Sequence, residues 1–278
     1  MIDVAIATCD PLPEPDPDHQ PLVEALVSAG MAVETWAWDH PEARWSEAAV
    51  VLPRSTWDYY RNLDRFLGWA REVASRTRLL NPWPIIRWNH HKSYLLSLPM
   101  RGVPVVPTVA VEQGSQVTLE EICDLEGWDK VVVKPAVGAG SHGVQSVARG
   151  SLAEACLETR LEEGDMLVQP FMESVLNQGE RSLVFIDGQY SHGVVKAPRF
   201  DGQAESVRAL DEPTERQLEV ARRAIASVEE RLLYGRVDLV SDEEGAPRVA
   251  ELELIEPSLF FEVRPRSVDR FVTALQGW

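Results

Sequence analysis

A lysine followed by a glycine-rich loop is the most informative chemical feature of this sequence. The stretch VVVKPAVGAGSHGV covers residues 131–144 and places Lys134 before Gly138, Gly140 and Gly143. A glycine-rich turn between two strands can close over a triphosphate, because its amides approach without obstruction by side chains. Lys134, on the buried strand before the loop, can reach the same phosphates, and a buried lysine needs such a partner. The stretch predicts a phosphate-binding hairpin; the alternative is a flexible turn beside a surface lysine.

Better-known phosphate-binding loops do not fit this stretch. The glycines satisfy G-x-G-x-x-G, but a dinucleotide fingerprint leads into a helix, whereas VQSVAR is typical of a strand. A Walker A loop would end in Gly-Lys-Ser or Gly-Lys-Thr, and a protein kinase would carry HRD and DFG signatures; the sequence has none of these. The pattern therefore indicates another class of nucleotide-binding fold.

Acidic residues near the C-terminus alternate in a way that suits a divalent cation. AELELIEP places Glu251 and Glu253 on one face of a strand, and GRVDLV places Arg236 and Asp238 on one face of another. Mg²⁺ prefers hard oxygen ligands. A guanidinium beside them can stabilise a tetrahedral oxyanion, which makes Arg236 a candidate catalytic residue. The alternatives are a solvent-facing acidic pair on an edge strand and a plain salt bridge of Arg236.

Residues 54–60, RSTWDYY, are the first candidates for substrate binding. They follow a predicted parallel strand, and ligands of open α/β sheets bind outside the carboxyl ends of strands. Arg54 could pair with a substrate carboxylate, while Trp57 and Asp58 could shape the pocket. The alternative is a helix-entry segment with Trp57 in the core.

Other cations are candidates for phosphate or substrate contacts. Lys196 and Arg199, in VVKAPR, could reach a γ-phosphate or a substrate carboxylate, or could be structural. Arg264 and Arg266, after the acidic strand, are candidates for binding a substrate anion. His142, inside the glycine loop, could touch phosphate, although loop histidines are commonly solvated.

Composition restricts the class of protein. The chain has 278 residues, 45% of them hydrophobic, which is ample for a large core and for two or three subdomains. A formal net charge of -17 repels phosphate backbones, so we expect neither nucleic acid nor an anionic membrane as partner. Cys9, Cys123 and Cys156 are far apart, which argues against a zinc site or a disulfide framework. Without a signal-peptide pattern or a long apolar run, we expect a cytoplasmic protein.

Hydrophobic patterns predict the elements that position these residues. Strands alternate with helices over roughly residues 1–80, which predicts a parallel α/β layer, with the proline-rich residues 11–21 as a surface loop. Beyond residue 117 the pattern is that of mixed α+β structure. It includes a hairpin turning at Asp187–Gly188, a helix within 212–232, and two strands joined by an acidic turn.

The order of these motifs resembles that of the ATP-grasp superfamily of carboxylate–amine ligases, over most of the chain. The resemblance implies an N-terminal parallel α/β domain and two α+β subdomains that clasp ATP. The implied divisions are a domain at 1–87, a connecting helix and strand at 88–116, a central subdomain at 117–200 and a C-terminal subdomain with the metal site at 201–278.

The resemblance also implies roles for individual residues. Lys92, in NHHKSYLL, and Lys134 are similar to two lysines that contact nucleotide phosphates. The metal ligands would be Asp238, Glu251 and Glu253. The remaining nucleotide contacts would be Gly138, Gly140, Ser141, His142 and Gly143 over the phosphates, Gln169, Phe171 and Met172 around adenine, and Glu180 at the ribose.

One departure from the family pattern concerns the metal strand. The family reads Glu-x-Asn with a proline soon after, whereas this chain has Glu251-x-Glu253 and three residues before Pro257, so Glu256 could replace one ligand. RSTWDYY and EPSLFF most resemble the D-cycloserine-forming ATP-grasp subfamily.

The function implied is an ATP- and Mg²⁺-dependent ligase of antibiotic biosynthesis, with Mn²⁺ as an alternative metal. It would join a small carboxylate to an amine, or close a ring, through an acyl phosphate with release of ADP and phosphate. A thioester route is poorly supported, because Cys9 and Cys123 have no neighbouring base. The alternatives are a non-catalytic nucleotide-binding module and a small-molecule phosphotransferase. The family also suggests a homodimer.

Overall fold

A parallel sheet forms the N-terminal part of the protein. The computed structural model describes residues 2–140, 142–198 and 206–278. Strands β1 (Ile2–Thr8), β2 (Val33–Ala37), β3 (Ala48–Ser55) and β4 (Arg78–Leu79) pair in the order β2-β1-β3-β4, all parallel. Helices α1 (His19–Ser28) and α2 (Leu63–Arg76) connect them, with short 3-10 turns at Trp45–Glu47 and Tyr59–Asn62. The predicted parallel α/β layer is confirmed.

An antiparallel sheet follows. Helices α3 (Trp83–Asn89) and α4 (Tyr94–Ser97) and a 3-10 turn at Leu98–Arg101 lead into β5 (Val109–Val111), α5 (Leu119–Glu126), β6 (Lys130–Pro135), β7 (Gln145–Ala148), α6 (Ser151–Leu161) and β8 (Met166–Pro170). The strand order is β5-β8-β6-β7. Helix α5 escaped sequence analysis, although Thr118 and Glu121 form a capping box that marks its start.

The third sheet is also antiparallel. It contains β9 (Glu180–Ile186), β10 (Gln189–Lys196), β11 (Val207–Leu210), β12 (Tyr234–Ser241) and β13 (Pro247–Glu253), in the order β11-β10-β9-β12-β13. Helices α7 (Ser174–Gln178), α8 (Glu215–Ala226) and α9 (Arg266–Gln276) accompany them. The hairpin turn is confirmed, with positive φ at both Asp187 and Gly188. The helix expected within 212–232 is α8, and α9 was not predicted.

Sheet membership divides the chain differently from the expected ranges. Strand β5, from the connecting range 88–116, pairs with β8 of the central sheet. The β9–β10 hairpin, from the range 117–200, pairs with β12 of the third sheet. The sheet therefore changes at residues 171–179, and the division into folding domains stays a prediction.

One hydrophobic core joins the first sheet to the third. Ile6 and Leu52 of the parallel sheet belong to the same buried cluster as Val184, Tyr234 and Phe271. Phe271 is fully buried, so truncating it to alanine would cost about 3–5 kcal/mol of unfolding free energy. This shared core fixes the N-terminal sheet against the strands that carry the acidic residues. No helix among the described residues is long and apolar enough to cross a bilayer.

Candidate functional site

A cleft of about 1010 Å³, including the part open to solvent, lies where the second and third sheets meet the segments that follow β1 and β3. Many of the predicted site residues line it, namely Trp57, Lys92, Lys134, Gly138, Gly140, His142, Glu180, Lys196, Arg236, Glu251 and Glu253. Ser141, a predicted phosphate contact, falls outside the residues that the structure describes. The cleft is therefore the candidate active site.

Lys92 connects the glycine loop to the acidic strand. It follows α3, and its backbone N–H donates to the Ala136 carbonyl at 2.7 Å. Its Nζ donates to the Gly138 carbonyl at 2.6 Å and forms an ion pair with Glu251 Oε1 at 3.0 Å. Burial by itself would lower the pKa of Lys92, but Glu251 raises it above its ordinary value. A charged ammonium thus lies between the two predicted halves of the site.

Lys134, at the end of β6, is a second buried cation in the cleft. Its Nζ donates to the Ala250 carbonyl at 3.3 Å, and no described carboxylate lies within ion-pair distance. Burial lowers its pKa, although Glu251 partly opposes this. An anionic ligand at this point would stabilise the charged form of Lys134.

The glycine loop has the backbone that its sequence requires. Gly140 and Gly143 have φ of +61° and +75°, a region that side chains rarely allow. A Cβ at Gly143 would also lie 2.8 Å from Pro135 Cγ. The His142 ring stacks on Tyr60, with centroids 5.0 Å apart, so the loop contacts the N-terminal sheet's RSTWDYY segment.

Arg236 and Asp238 form the centre of a buried ion network on β12. Arg236 donates from Nε to Asp238 Oδ1 at 2.9 Å and from Nη2 to Oδ2 at 3.0 Å. Its Nη2 also pairs with Glu253 Oε1 at 2.5 Å. Lys196 Nζ lies 2.9 Å from Asp238 Oδ2 and 2.5 Å from Glu180 Oε1. Both oxygens of Asp238 are thus held by cations, and Asp238 is 1% exposed and does not line the cleft.

The carboxylates of the cleft differ in proton affinity. Burial would raise the pKa of Asp238, but Arg236 and Lys196 hold it below its usual range. Burial raises the pKa of Glu253 to about 7; Arg236 opposes the rise, and Glu251 adds to it. Burial and the neighbouring Glu253 raise the pKa of Glu256 to about 8. Burial is the largest cause of both raised pKa values, and a cation bound beside Glu253 and Glu256 would lower them.

The donor set fits a hard divalent cation. Asp238 is paired in register with Glu251, and Glu253 follows on the same strand face. Among the described residues no three His, Cys, Asp or Glu side chains converge as a preformed metal site, because lysine and arginine hold these oxygens. An Mg²⁺ ion would replace part of that neutralisation with oxygen coordination. The assignment of Asp238, Glu251 and Glu253 as metal ligands stays a prediction.

The residues predicted to surround adenine lie away from the lining of the cleft. Gln169, 5% exposed, donates to Thr108 Oγ1 at 2.9 Å. The Phe171 ring lies beneath the Lys130 ammonium, 3.4 Å from its centroid, and Met172 follows on the same connection between β8 and α7. Neither these three residues nor Gly143 are among the described residues that line the cleft. Their nucleotide roles stay predictions.

Residues 255–261, which follow β13, are held by side chains from distant elements. Five successive carbonyls each accept a hydrogen bond: Ile255 from Tyr234 Oη (2.8 Å), Glu256 from Trp57 Nε1 (3.0 Å), Pro257 from Arg54 Nη2 (2.7 Å), Ser258 from Arg236 Nη1 (3.3 Å) and Leu259 from His192 Nε2 (2.8 Å). Three successive N–H groups, of Leu259, Phe260 and Phe261, donate to the Asp18 carboxylate at 2.5–3.0 Å. We call residues 255–261 the clamped segment.

Four of the five residues predicted to contact the substrate do not line the cleft. The Arg54 guanidinium is 4% exposed and lies between Pro257 and Asp18, 3.9 Å from the Asp18 carboxylate, so it holds the clamped segment and does not line the cleft. Asp58 accepts a hydrogen bond from Trp38 Nε1 at 2.8 Å. Arg264 donates to the Leu210 carbonyl at 2.5 Å, and Arg266 begins α9; neither lines the cleft. Only Trp57 of this group lines it.

Several residues of the cleft were not predicted from the sequence. The proline-rich segment, expected to be a surface loop, brings Glu14 to the cleft beside the glycine loop. Its position after the carboxyl end of β1 was the available signal. Tyr94 and Asn89 also line the cleft, as do Tyr59 of RSTWDYY and Ser258 of EPSLFF, which were not named individually.

Protonation of His192 should destabilise the protein in acid. Burial lowers the pKa of His192 to about 4. The hydrogen bond to the Leu259 carbonyl raises this pKa, whereas the positive charges of Arg264 and Arg270 lower it further. Because unfolded histidine titrates near 6.5, unfolding free energy should fall from pH 6.5 towards pH 4, by about 3 kcal/mol at most from this group. Urea unfolding of the wild type and of His192→Gln at pH 7.5 and pH 5 measures this loss of unfolding free energy. Parallel losses of stability in both proteins would contradict the assignment.

Comparison with known proteins agrees with this geometry. Residues 4–81 match the family described as D-cycloserine synthetase DcsG, N-terminal domain. The cycloserine biosynthesis protein DcsG of Streptomyces lavendulae is 36% identical over 281 aligned positions, which cover 94% of this chain and 93% of that protein.

Solved structures show the same fold. The crystal structure of D-cycloserine synthetase DcsG superposes with a TM-score of 0.90 at 34% identity, covering 99% of this chain and 98% of that one. The ATP-grasp ligase PsnB, complexed with minimal precursor, Mg and ADP, superposes with a TM-score of 0.66 at 20% identity, covering 99% and 98%. At that identity PsnB supports the fold alone. With the cleft, its lysines and its acidic strand in the order predicted for ATP-grasp ligases, the chain belongs to the D-cycloserine synthetase family of ATP-dependent, C–N bond-forming ligases.

Proposed function

We propose that this protein uses MgATP to close the ring of D-cycloserine, or of a near relative of it, from an open-chain amino acid. The contact that supports the proposal most is that of Lys92, whose ammonium binds both the glycine-loop carbonyl of Gly138 and the Glu251 carboxylate. It brings a phosphate-binding loop and an acidic strand together in one cleft, as phosphoryl transfer to a carboxylate requires.

The substrate class follows from the product that names the family. The D-cycloserine ring contains one amide bond, between a carboxyl carbon and a nitrogen that is bonded to oxygen. Opening that bond gives an α-amino acid whose side chain carries a nitrogen bonded to oxygen, which in the simplest case is an aminooxy group. Ring closure needs an activated carboxylate, because a free carboxylate is a poor electrophile.

Nucleotide and metal would occupy the cleft between the glycine loop and β13. Lys92 and Lys134 would neutralise the outer phosphates, and His142, Gly138 and Gly140 would cover them. Glu251 and Glu253, with Asp238, would hold Mg²⁺, which neutralises phosphate charge during transfer. Mn²⁺, which accepts the same oxygen ligands, is expected to substitute for it.

The reaction has two steps. The substrate carboxylate attacks the γ-phosphorus of ATP, which releases ADP and leaves an acyl phosphate. The aminooxy nitrogen then attacks the acyl carbon, loses a proton, and expels inorganic phosphate. Arg236 uses four of its five N–H groups on Asp238, Glu253 and Ser258, so one remains for the tetrahedral oxyanion. Lys196 forms ion pairs with Glu180 and Asp238, and would thereby position Asp238 beside Arg236.

Identification of the nucleotide product tests this chemistry. With the aminooxy amino acid, turnover should yield ADP, phosphate and D-cycloserine, separated by chromatography. Substrate and hydroxylamine together should yield a hydroxamate from the trapped acyl phosphate. AMP with pyrophosphate would overturn the acyl-phosphate route, a stable phosphorylated product would indicate a phosphotransferase, and ATP binding without turnover of candidate amino acids would indicate a non-catalytic module.

Gly143→Ala should raise the KM for ATP. An added methyl group would press on Pro135 and displace the loop, whose φ of +75° alanine also disfavours. Gly114→Ala is a matched control, because Gly114 has φ of +79° with nothing within 4 Å of an added Cβ. The positive φ should lower the stability of both variants by about 1–2 kcal/mol, and the contact with Pro135 should add to the loss in Gly143→Ala. If Gly143→Ala and Gly114→Ala had equal KM values for ATP, the proposal that the loop binds the phosphates would be contradicted.

The homodimer suggested by the family stays a prediction. Light scattering during size-exclusion chromatography measures the molar mass against the 31.1 kDa of one chain.

A further inference from the structure

Glu256 differs from the other carboxylates that line the cleft. Glu251 has a lysine Nζ at 3.0 Å and Glu253 an arginine Nη2 at 2.5 Å. Glu256 lines the same cleft and is 9% exposed. No described residue forms a hydrogen bond or an ion pair with its carboxylate, although its backbone carbonyl is held by Trp57. A buried carboxylate without a partner is costly, which indicates that a cation from outside the chain completes this site.

The clamped segment keeps Glu256 in one position. Its own carbonyl and the carbonyls on either side, of Ile255 and Pro257, accept hydrogen bonds from three separate side chains. Asp18, 2% exposed, anchors the far end of the segment through three charge-assisted bonds. A side chain on so constrained a backbone is preorganised for a ligand, because little further ordering is required when the ligand binds.

The surroundings of Glu256 favour an organic ammonium group over a metal ion. The predicted metal ligands Glu251 and Glu253 share one face of β13, and Asp238 is paired in register with Glu251, so that set does not require Glu256. Glu256 lies beyond the end of β13, and the aromatic side chains of Trp57 and Tyr59 line the cleft with it. Carboxylate and aromatic surfaces together suit an alkylammonium ion.

We propose that the Glu256 carboxylate binds the primary α-ammonium group of the substrate. This assignment rests on the proposed function, in which the substrate carries two nitrogens. Pairing with a carboxylate keeps the α-nitrogen protonated and without a free electron pair. The aminooxy nitrogen is a far weaker base, so it is neutral at the same pH and is the one that attacks the acyl phosphate. Glu256 would therefore both orient the substrate and select the nucleophile.

Binding of two rings tests the assignment without turnover. D-Cycloserine carries the amino group, and isoxazolidin-3-one is the same ring without it. Calorimetric titration in the presence of Mg²⁺ and ADP should show that the wild type prefers D-cycloserine by about 10- to 100-fold. Glu256→Gln should bind the two rings within about twofold of each other, with unchanged affinity for ADP. Glu243→Gln, at an exposed position of the β12–β13 turn, should keep the preference.

Each other outcome overturns the assignment. A preference that survives in Glu256→Gln would place the ammonium elsewhere, and a loss of ADP affinity that depends on Mg²⁺ would make Glu256 a metal ligand. If the wild type turns over ATP with other amino acids but binds neither ring, the proposed D-cycloserine function fails together with this assignment. If the wild type binds both rings without preference, the ammonium site is disproved and the proposed D-cycloserine function is not affected. Should Glu256→Gln not fold, Glu256→Asp serves, because it keeps the charge and should retain most of the preference.

Discussion

Glu251→Gln is expected to keep the fold and to lower kcat for ADP formation by about 100-fold or more. The change is almost isosteric, so packing on β13 is preserved. It removes the negative charge that pairs with Lys92 at 3.0 Å and that would coordinate Mg²⁺. Steady-state release of ADP at saturating Mg²⁺ and substrate measures the effect.

Glu243→Gln provides the control for this prediction. Glu243 is an exposed residue on the turn between β12 and β13. The same chemical change there should leave kcat within about twofold of the wild type. Thermal unfolding of both variants checks that the fold persists. Near wild-type ADP formation by Glu251→Gln would show that Glu253 and Glu256 hold the metal instead.

Arg236→Lys is expected to separate the two steps of the reaction. Loss of one oxyanion donor typically lowers turnover by about 10²- to 10³-fold. Lysine keeps a positive charge beside Asp238, whose only other cation partner among the described residues is Lys196; breaking a buried ion pair typically costs about 3–5 kcal/mol. D-Cycloserine formation should therefore fall steeply, while hydroxylamine still traps an acyl phosphate from substrate and MgATP.

The matched control is Arg248→Lys. Arg248 lies on β13, where its guanidinium is 38% exposed and pairs with Asp242 at 2.8 Å. That variant should retain both partial reactions, because exposed ion pairs contribute roughly 0–1 kcal/mol. If Arg236→Lys lost acyl-phosphate formation as well, Arg236 would act in phosphoryl transfer or in holding the metal site together, and its oxyanion role would be excluded.

The fold class was accessible because each half of the chain has its own local pattern. Alternating strands and helices predicted the parallel sheet, and the glycine loop between two strands excluded a dinucleotide fingerprint. Among the helices that were not predicted are α5 and α9. Helix α9 is recognisable afterwards by Val268, Phe271, Val272 and Leu275, which recur at helical spacing and are buried.

The substrate residues were the least predictable part of the site. Arg54 and Trp57 are three positions apart in one segment, yet only Trp57 lines the cleft. The direction of each depends on the clamped segment, whose residues lie about 200 positions later in the chain. Sequence spacing carries no information about a contact of that range, so RSTWDYY could be assigned to the site but its members could not be assigned roles.

The sequence by itself determined the parallel layer, the glycine loop and the choice of Lys134, Arg236 and Glu251 as cleft residues, because strand alternation places chemically distinct side chains on one face. The family resemblance added Lys92. Only the tertiary structure decided that Asp238 is enclosed by Arg236 and Lys196. It also decided that Arg54 does not line the cleft, and that no described residue pairs with the Glu256 carboxylate. The physical reason is that these outcomes depend on which buried charges find partners, and those partners come from strands far apart in the chain and joined only by the shared core.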